Sequence, residues 1–295
     1  MSRLHSSALK TGELEHQVGG VIVPKTPPPP RLYKYQPFNA QTLTNLKRAS
    51  IWFSAPINVN DPYDCAGWVI EPDKMSEAQF QQWLDYARQR DPTLTARMCP
   101  DGVPTPAFRE SVVTSVRRTY DEQRTIQREQ RGIACFSAHV TDIMMWSHYA
   151  DGHRGFCLEF DASVPPFSNA FEVSYSDSVP SINPVAVLVN DPNDNEILRA
   201  FVLTKARCWS YEREWRLMHA EPNKLYGYGD GPLTGIYFGA EMPHAHKDIL
   251  SLVTRGASIQ LHEMKRDTRS FTLHSQAVTY TPPPDGKRPP DQKTR

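Results

Sequence analysis

Ten of the chain's 26 prolines fall in two short end segments: Pro24 and Pro27 to Pro30 at one end, Pro282 to Pro284, Pro289 and Pro290 at the other. Proline fixes φ and lacks a backbone donor, so neither segment suits a helix interior or a central strand. The other 16 prolines are spread over residues 31–281, near the ordinary share of about 5%. The expected organisation is a disordered Pro-rich tail over 1–30, a single domain over 31–281, and a disordered Pro-rich basic tail over 282–295. A body of that size buries a large core.

Composition narrows the class. Hydrophobic residues at 39% against 22% charged exclude wholesale disorder. No apolar run reaches the ~18 residues of a bilayer span, so no membrane partner is expected. MSRLHSSALKTGELEH lacks an apolar h-region, so no secretory signal is expected. Five cysteines, widely spaced and without a CxxC pair, point to a reduced, cytoplasmic protein with neither disulfide framework nor zinc module. Basic and acidic residues balance at 33 each, and the ends hold a net positive charge, which leaves the body slightly acidic. That excludes a general nucleic-acid-binding surface.

The body reads as short strands alternating with short helices. RLYKY (from Arg31), IWFS (Ile51 to Ser54), GIACFS (Gly132 to Ser137), GFCLEFD, FEVSY (Phe171 to Tyr175), CWSYEREWRLM, TGIYFG, SIQLHEM and SFTLHSQAVTY have strand composition. Helices are expected over Asn39 to Arg48, capped by Asn39, over 76–90 and 106–130, from a Thr141 cap to Tyr149, over 194–206, and from His244 to Thr254. The polar end of the 106–130 helix, DEQRTIQREQ, is expected to project into solvent. The stretch between the two middle helices reads as a loop. The fold class is α+β: a compact mixed or antiparallel sheet with short helices and a helical insertion near 72–130.

Four constellations could carry chemistry. In CWSYEREWRLM, strand alternation puts Trp209, Tyr211, Trp215 and Leu217 on one face, with Arg213 at its wetter part, and Glu212, Glu214 and Arg216 on the other. Three charges on one face are either a solvated surface or a catalytic floor with an arginine orienting a carboxylate. In MMWSHYADGH, Met145, His148 and Tyr149 share a helix side, with Trp146 on another. His148 and His153 match no established metal-ligand spacing, so no metal is expected. A histidine there is either a satisfied core residue or a group at a cleft mouth. NVNDPYD is a turn whose Asn60, Asp61 and Asp64 could hold a ligand. A second Asn-Asp-Pro at 190–192 shows how little that tripeptide means alone. Tyr33, Lys34 and Tyr35 lie on the first strand, and Ser54 ends the second. The tyrosines are core residues on one reading and ligand contacts on the other. No nucleophilic serine elbow or paired cysteine is present.

Together the segments LYKY, IWFSAPINVNDPYDC, ACFS, MMWSHYADGHRGFCLEF, VSY and K-x-x-x-W-x-YEREWR resemble the bacterial family known as domain of unknown function 2971, over about residues 31–240. The stretch 72–130 lies between motifs, and the family name implies no activity. The order of elements also resembles ADP-ribosyltransferase-like domains: an aromatic and basic first strand, a helix with Asn45-Leu46, a second strand ending in Ser54, and a late Glu-x-Glu at Glu212 and Glu214. The glycine usual before the second strand is absent.

That second resemblance implies an ADP-ribosyltransferase-like fold that binds NAD. Glu214 would act on the ribose and Glu212 would orient nucleophile or substrate. Tyr33, Lys34, Tyr35 and Ser54 would position ribose and phosphates, with Asn60 and Asp61 nearby. Trp146 or Tyr149 would stack on a base, His148 or His153 would bond a phosphate or hydroxyl, and Arg216 would keep Glu214 ionised. The partner is then a nucleotide or small molecule, with the acceptor open. Two other readings remain: a non-catalytic nucleotide- or protein-binding module of a bacterial phage-defence or stress system, and a metal-dependent nuclease using Asp61, Asp64, Glu212 and Glu214.

Overall fold

The computed structural model describes residues 26–65, 67, 71–99, 103–185 and 196–279. Nearly all of both expected tails, and the second Asn-Asp-Pro, lie outside the described residues. The strands are β1 (Arg31–Gln36), β2 (Ser50–Phe53), β3 (Gly132–Ser137), β4 (Phe156–Asp161), β5 (Phe171–Glu172), β6 (Ser174–Ser176), β7 (Thr204–Ala206), β8 (Glu214–His219), β9 (Lys224–Gly227), β10 (Leu233–Phe238), β11 (Gln260–Arg266) and β12 (Leu273–Val278). The helices are α1 (Ala40–Lys47), α2 (Glu77–Arg90), α3 (Pro92–Met98), α4 (Pro106–Glu129), α5 (Ile143–Tyr149), α6 (Glu196–Val202) and α7 (His244–Val253). The fold is α+β.

Eight strands form one mixed sheet in the order β12-β11-β10-β4-β1-β3-β8-β5, antiparallel except for β10 with β11. Two short pairs, β2 with β9 and β6 with β7, flank it. Alternation sorts the sheet's two faces. Leu32, Phe136, Leu158, Trp215, Leu217 and Ile236 point to the main core, which α1, β2 and α7 help to close. Tyr35, Cys157 and Tyr237 point to the other face, against Met145 and Trp146 of α5.

Helix starts follow from capping. Asn39 Oδ1 accepts the Thr42 amide at 2.9 Å and Thr42 Oγ1 accepts the Asn39 amide at 3.2 Å, a reciprocal box. α5 is capped by Asp142, whose Oδ1 accepts the Met145 amide at 3.0 Å, rather than by Thr141. After α5 the chain turns through Asp151, Gly152 and His153, all at positive φ. It then passes through Gly155, where a Cβ would lie 2.2 Å from the Gln36 carbonyl oxygen. Only glycine allows that approach.

α2 to α4 form a helical layer with its own small core of Phe80, Leu84, Phe108, Val112 and Val116. It meets the body through Tyr120 on Phe201 and Gln79 on Asn183. α3 occupies part of the expected loop. The end of α4 does not project: Gln127 is buried and Ile126 half-buried.

Three expected elements are altered. FEVSY divides into β5 and β6, which belong to different sheets. The described part of the expected 194–206 helix ends at Val202 and continues as β7. CWSYEREWRLM is a 3-10 turn over Arg207–Glu212 followed by β8, with Arg213 between them in the left-handed region at φ 44. Among the described residues no helix is long and apolar enough to cross a membrane.

Candidate functional site

β1 pairs with β4 along its whole length but meets β3 at one register position, Tyr33↔Ser137. Beyond that point the two strands part, and a cleft of about 380 Å³ opens between Lys34–Gln36 and Ala134–Phe136. α1, β2, the Asn58–Asp61 turn, α5 and the 207–212 turn complete its walls. That volume is in the range of small-molecule sites.

One wall is a buried charge network. Arg216, fully buried on β8, donates from Nε to Glu214 Oε1 at 2.7 Å and from Nη2 to Glu214 Oε2 at 3.0 Å and Asp64 Oδ2 at 2.7 Å. Lys205 on β7 donates to Glu212 Oε2 at 2.6 Å and Glu214 Oε2 at 3.1 Å, and stands 3.3 Å from Asp64. Tyr149 of α5 donates its hydroxyl to Glu212 Oε1 at 2.6 Å. The Glu214 amide donates to the Tyr175 hydroxyl at 2.8 Å.

The two glutamates are shifted in opposite directions. Burial would raise both. At Glu214 that is overruled by Arg216 and then Lys205, which hold its carboxyl far below the usual range. At Glu212 burial prevails, reinforced by Glu214, so its carboxyl is raised despite Lys205 and Tyr149. Three carboxylates facing two cations leave one negative charge in excess, and the upward shift falls on Glu212. Glu214 accepts three donors and Glu212 two, so Glu212 retains the more open acceptor capacity.

Lys34, also lining the cleft, donates to the Cys135 carbonyl at 3.0 Å, over the gap where the strands part. Its ammonium lies over the Phe136 ring, 5.0 Å from the centroid. Burial lowers its pKa. Among the described residues no carboxylate stands within ion-pair distance of it. Tyr33 is half-buried, and burial, with Glu159 adding, pushes its phenol up to about 12. Trp52 and Trp209 supply further ring surface, and Lys205 sits 5.0 Å from the Trp209 ring centroid.

Of the residues singled out from sequence, Tyr33, Lys34, Tyr35, Ser54, Asn60, Asp61, Tyr149, Glu212 and Glu214 line this cleft. Four do not. Trp146 is fully buried, donates its indole N–H to the Val140 carbonyl at 2.6 Å, and has no face free for a base. His148 is exposed outside the cleft, with Nδ1 3.1 Å from the Tyr211 hydroxyl. His153 faces a different cavity. Arg216 lies behind Glu214 and is a positioning group. Asp64 lines the cleft but is tied to Arg216, and Asp61 Oδ1 accepts the Tyr63 amide at 2.9 Å. The charges facing Asp64, Glu212 and Glu214 are thus the protein's own cations. Among the described residues no group of three or more His, Cys, Asp or Glu side chains is placed to hold a metal ion.

Lys205 is the functional residue that sequence reasoning missed. Its sequence signal is the Lys of K-x-x-x-W, in a stretch whose composition reads as helix but which forms β7. Trp209 was assigned to a packed strand face, and the 3-10 turn instead brings it to the cleft wall.

No curated protein and no solved structure matches the chain. A family model described as "Protein of unknown function (DUF2971)" matches residues 145–217. That stretch runs from α5 into β8 and supplies Tyr149, Lys205, Glu212, Glu214 and Arg216, and over it the chain is similar to the DUF2971 family.

Proposed function

We propose that the cleft binds a nucleotide, with NAD as the first candidate, and cleaves its nicotinamide–ribose bond. One observation carries this reading. A lysine with no carboxylate in ion-pair distance and a buried carboxylate pair line a single cleft, near enough for the Glu214 charge to act on Lys34. Lys34 suits a phosphate, and half-buried rings suit planar groups. A carboxylate in a water-poor wall stabilises positive charge developing on a ribose.

In this scheme the C–N bond breaks with its electron pair leaving on the nicotinamide nitrogen. Water, or an acceptor hydroxyl or amine, forms the new bond at the ribose carbon. Glu212 in its ionised form takes the proton lost by that nucleophile. Its hydrogen bonds from Tyr149 and Lys205 orient it, while Glu214 and Asp64, both bonded to Arg216, hold Lys205 in place. Glu212 thus keeps its expected place at the nucleophile, and Glu214 becomes a positioning group instead of acting on the ribose.

The test is nicotinamide release from NAD by the purified chain, read beside calorimetric binding. Glu212→Gln is expected to abolish release while NAD still binds. Lys34→Met is expected to weaken binding tenfold or more. Absence of both NAD binding and nicotinamide release refutes the proposal. A second reading, a non-catalytic nucleotide-binding module, is favoured by the completeness of the Asp64–Arg216–Glu214–Lys205 network. Saturable NAD binding with the nucleotide recovered intact would establish it.

A further inference from the structure

The β11–β12 hairpin borders a second cavity of about 890 Å³, which shares no lining residue with the cleft. Its apolar wall comes from Ile143, Met264 and Leu273. Its other wall is the hairpin tip, with Lys265, Arg266, Arg269 and Phe271. Most charges here are satisfied. Arg266 meets Glu241 at 2.7 Å, and Lys265 meets Glu263. Asp267 is turned inward, accepting the amides of Arg269 and Ser270 at 2.7 and 2.9 Å. Arg269 is the exception: among the described residues its guanidinium has no carboxylate partner. Two residues on, Phe271 is 99% exposed, the most exposed large hydrophobic side chain described.

His153 forms part of the same cavity. It adopts a left-handed backbone at φ 66, which a non-glycine residue takes only when its surroundings impose it. Its Nδ1 is buried without a hydrogen-bond partner, while Nε2 lies 3.2 Å from Ser147 Oγ. The cavity therefore combines an uncompensated guanidinium, an exposed aromatic ring and an apolar wall. Those features complement an anionic head joined to a flat apolar body.

We propose that this cavity is a second ligand site that takes a small aromatic acid, its anionic group held by Arg269 and its ring packed against Phe271 and the Met264–Leu273 wall. This site is independent of the cleft and of any reaction there.

The methionines supply separate reporters, since Met264 lines this cavity and Met145 the cleft. The full chain, labelled with methyl-¹³C methionine and assigned with Met264→Leu, is titrated with phenyl phosphate and with phenol as the uncharged control. The Met264 methyl is expected to shift saturably with phenyl phosphate and at least tenfold less tightly in Arg269→Glu. Phenol is expected to leave it in place. Arg269 is exposed, so this substitution leaves the core intact. The proposal is overturned if Met264 does not respond to phenyl phosphate. It is equally overturned if phenol shifts Met264 as strongly, or if Arg269→Glu binds as tightly as the parent.

Discussion

Arg216→Met probes the network that forms the cleft wall. The guanidinium holds Glu214 through two bonds at 2.7 and 3.0 Å, Asp64 at 2.7 Å and the Val202 carbonyl at 2.6 Å, all with no solvent exposure. Methionine fills similar length but donates nothing. Lys205 is then the one remaining cation against three carboxylates. Breaking a buried pair from one side costs about 3–5 kcal/mol. In a domain of this size each kcal/mol is worth about 2–4 °C, so the melting temperature should fall by roughly 6–20 °C.

Urea denaturation gives the free energy, and a cycle with Glu214→Gln isolates the pair. The double variant should be less destabilised than the sum of the singles by at least about 1 kcal/mol, since neighbouring charges couple. The pH profile supplies an independent sign. A carboxyl held below its unfolded value of about 4.3 stabilises the fold above that value and loses the contribution as pH falls through its folded value. Because Glu214 is held low mainly by Arg216, the gap between parent and variant should be widest above about pH 5 and shrink in acid. A loss under about 1 kcal/mol, strict additivity, or a gap that does not change with pH would each refute the network as described.

Three further outcomes are expected. Glu212→Gln should leave thermal stability unchanged or raise it at pH 8, because the amide replaces a carboxyl whose folded value is raised and whose destabilising effect grows as pH rises through that value; a loss above about 1 kcal/mol in urea refutes this. Gly155→Ala should cost about 1–3 kcal/mol, since its Cβ would meet the Gln36 oxygen at 2.2 Å and β1 must move; an unchanged urea midpoint would count against that contact. Asn39→Ala should cost about 1 kcal/mol by removing the α1 cap, while Asn39→Ser should recover most of it by the same measurement.

Most of the fold was legible because its elements are locally encoded. RLYKY, GIACFS and GFCLEFD are apolar, β-rich and bounded by turn residues, and each became a strand of the central sheet. What failed was local competition. Thr141 and Asp142 both offer a capping oxygen, and which one caps depends on where the chain enters after β3. FEVSY reads as one strand, but Val173 has its amide on the Glu214 carbonyl while Ser174 turns its amide to Leu203. The change of partner between adjacent residues is tertiary, and no alternation pattern encodes it.

The candidate site shows the same limit in sharper form. Strand alternation placed Glu212, Glu214 and Arg216 together, and they are together, but only the last two by alternation. Glu212 is brought there by a 3-10 turn and the left-handed Arg213, which swings the chain so that Glu212 reaches Lys205 from outside the sheet. A continuous strand would also have lined up Trp209 and Tyr211 with Trp215 in the main core. The turn instead frees Trp209 for the cleft and sets Tyr211 against His148. Sequence order marked the carboxylates, but the downward shift of Glu214 comes from Arg216 and Lys205. Those two side chains arrive from separate elements, β7 and β8, and their placement follows from the sheet's topology rather than from any local pattern.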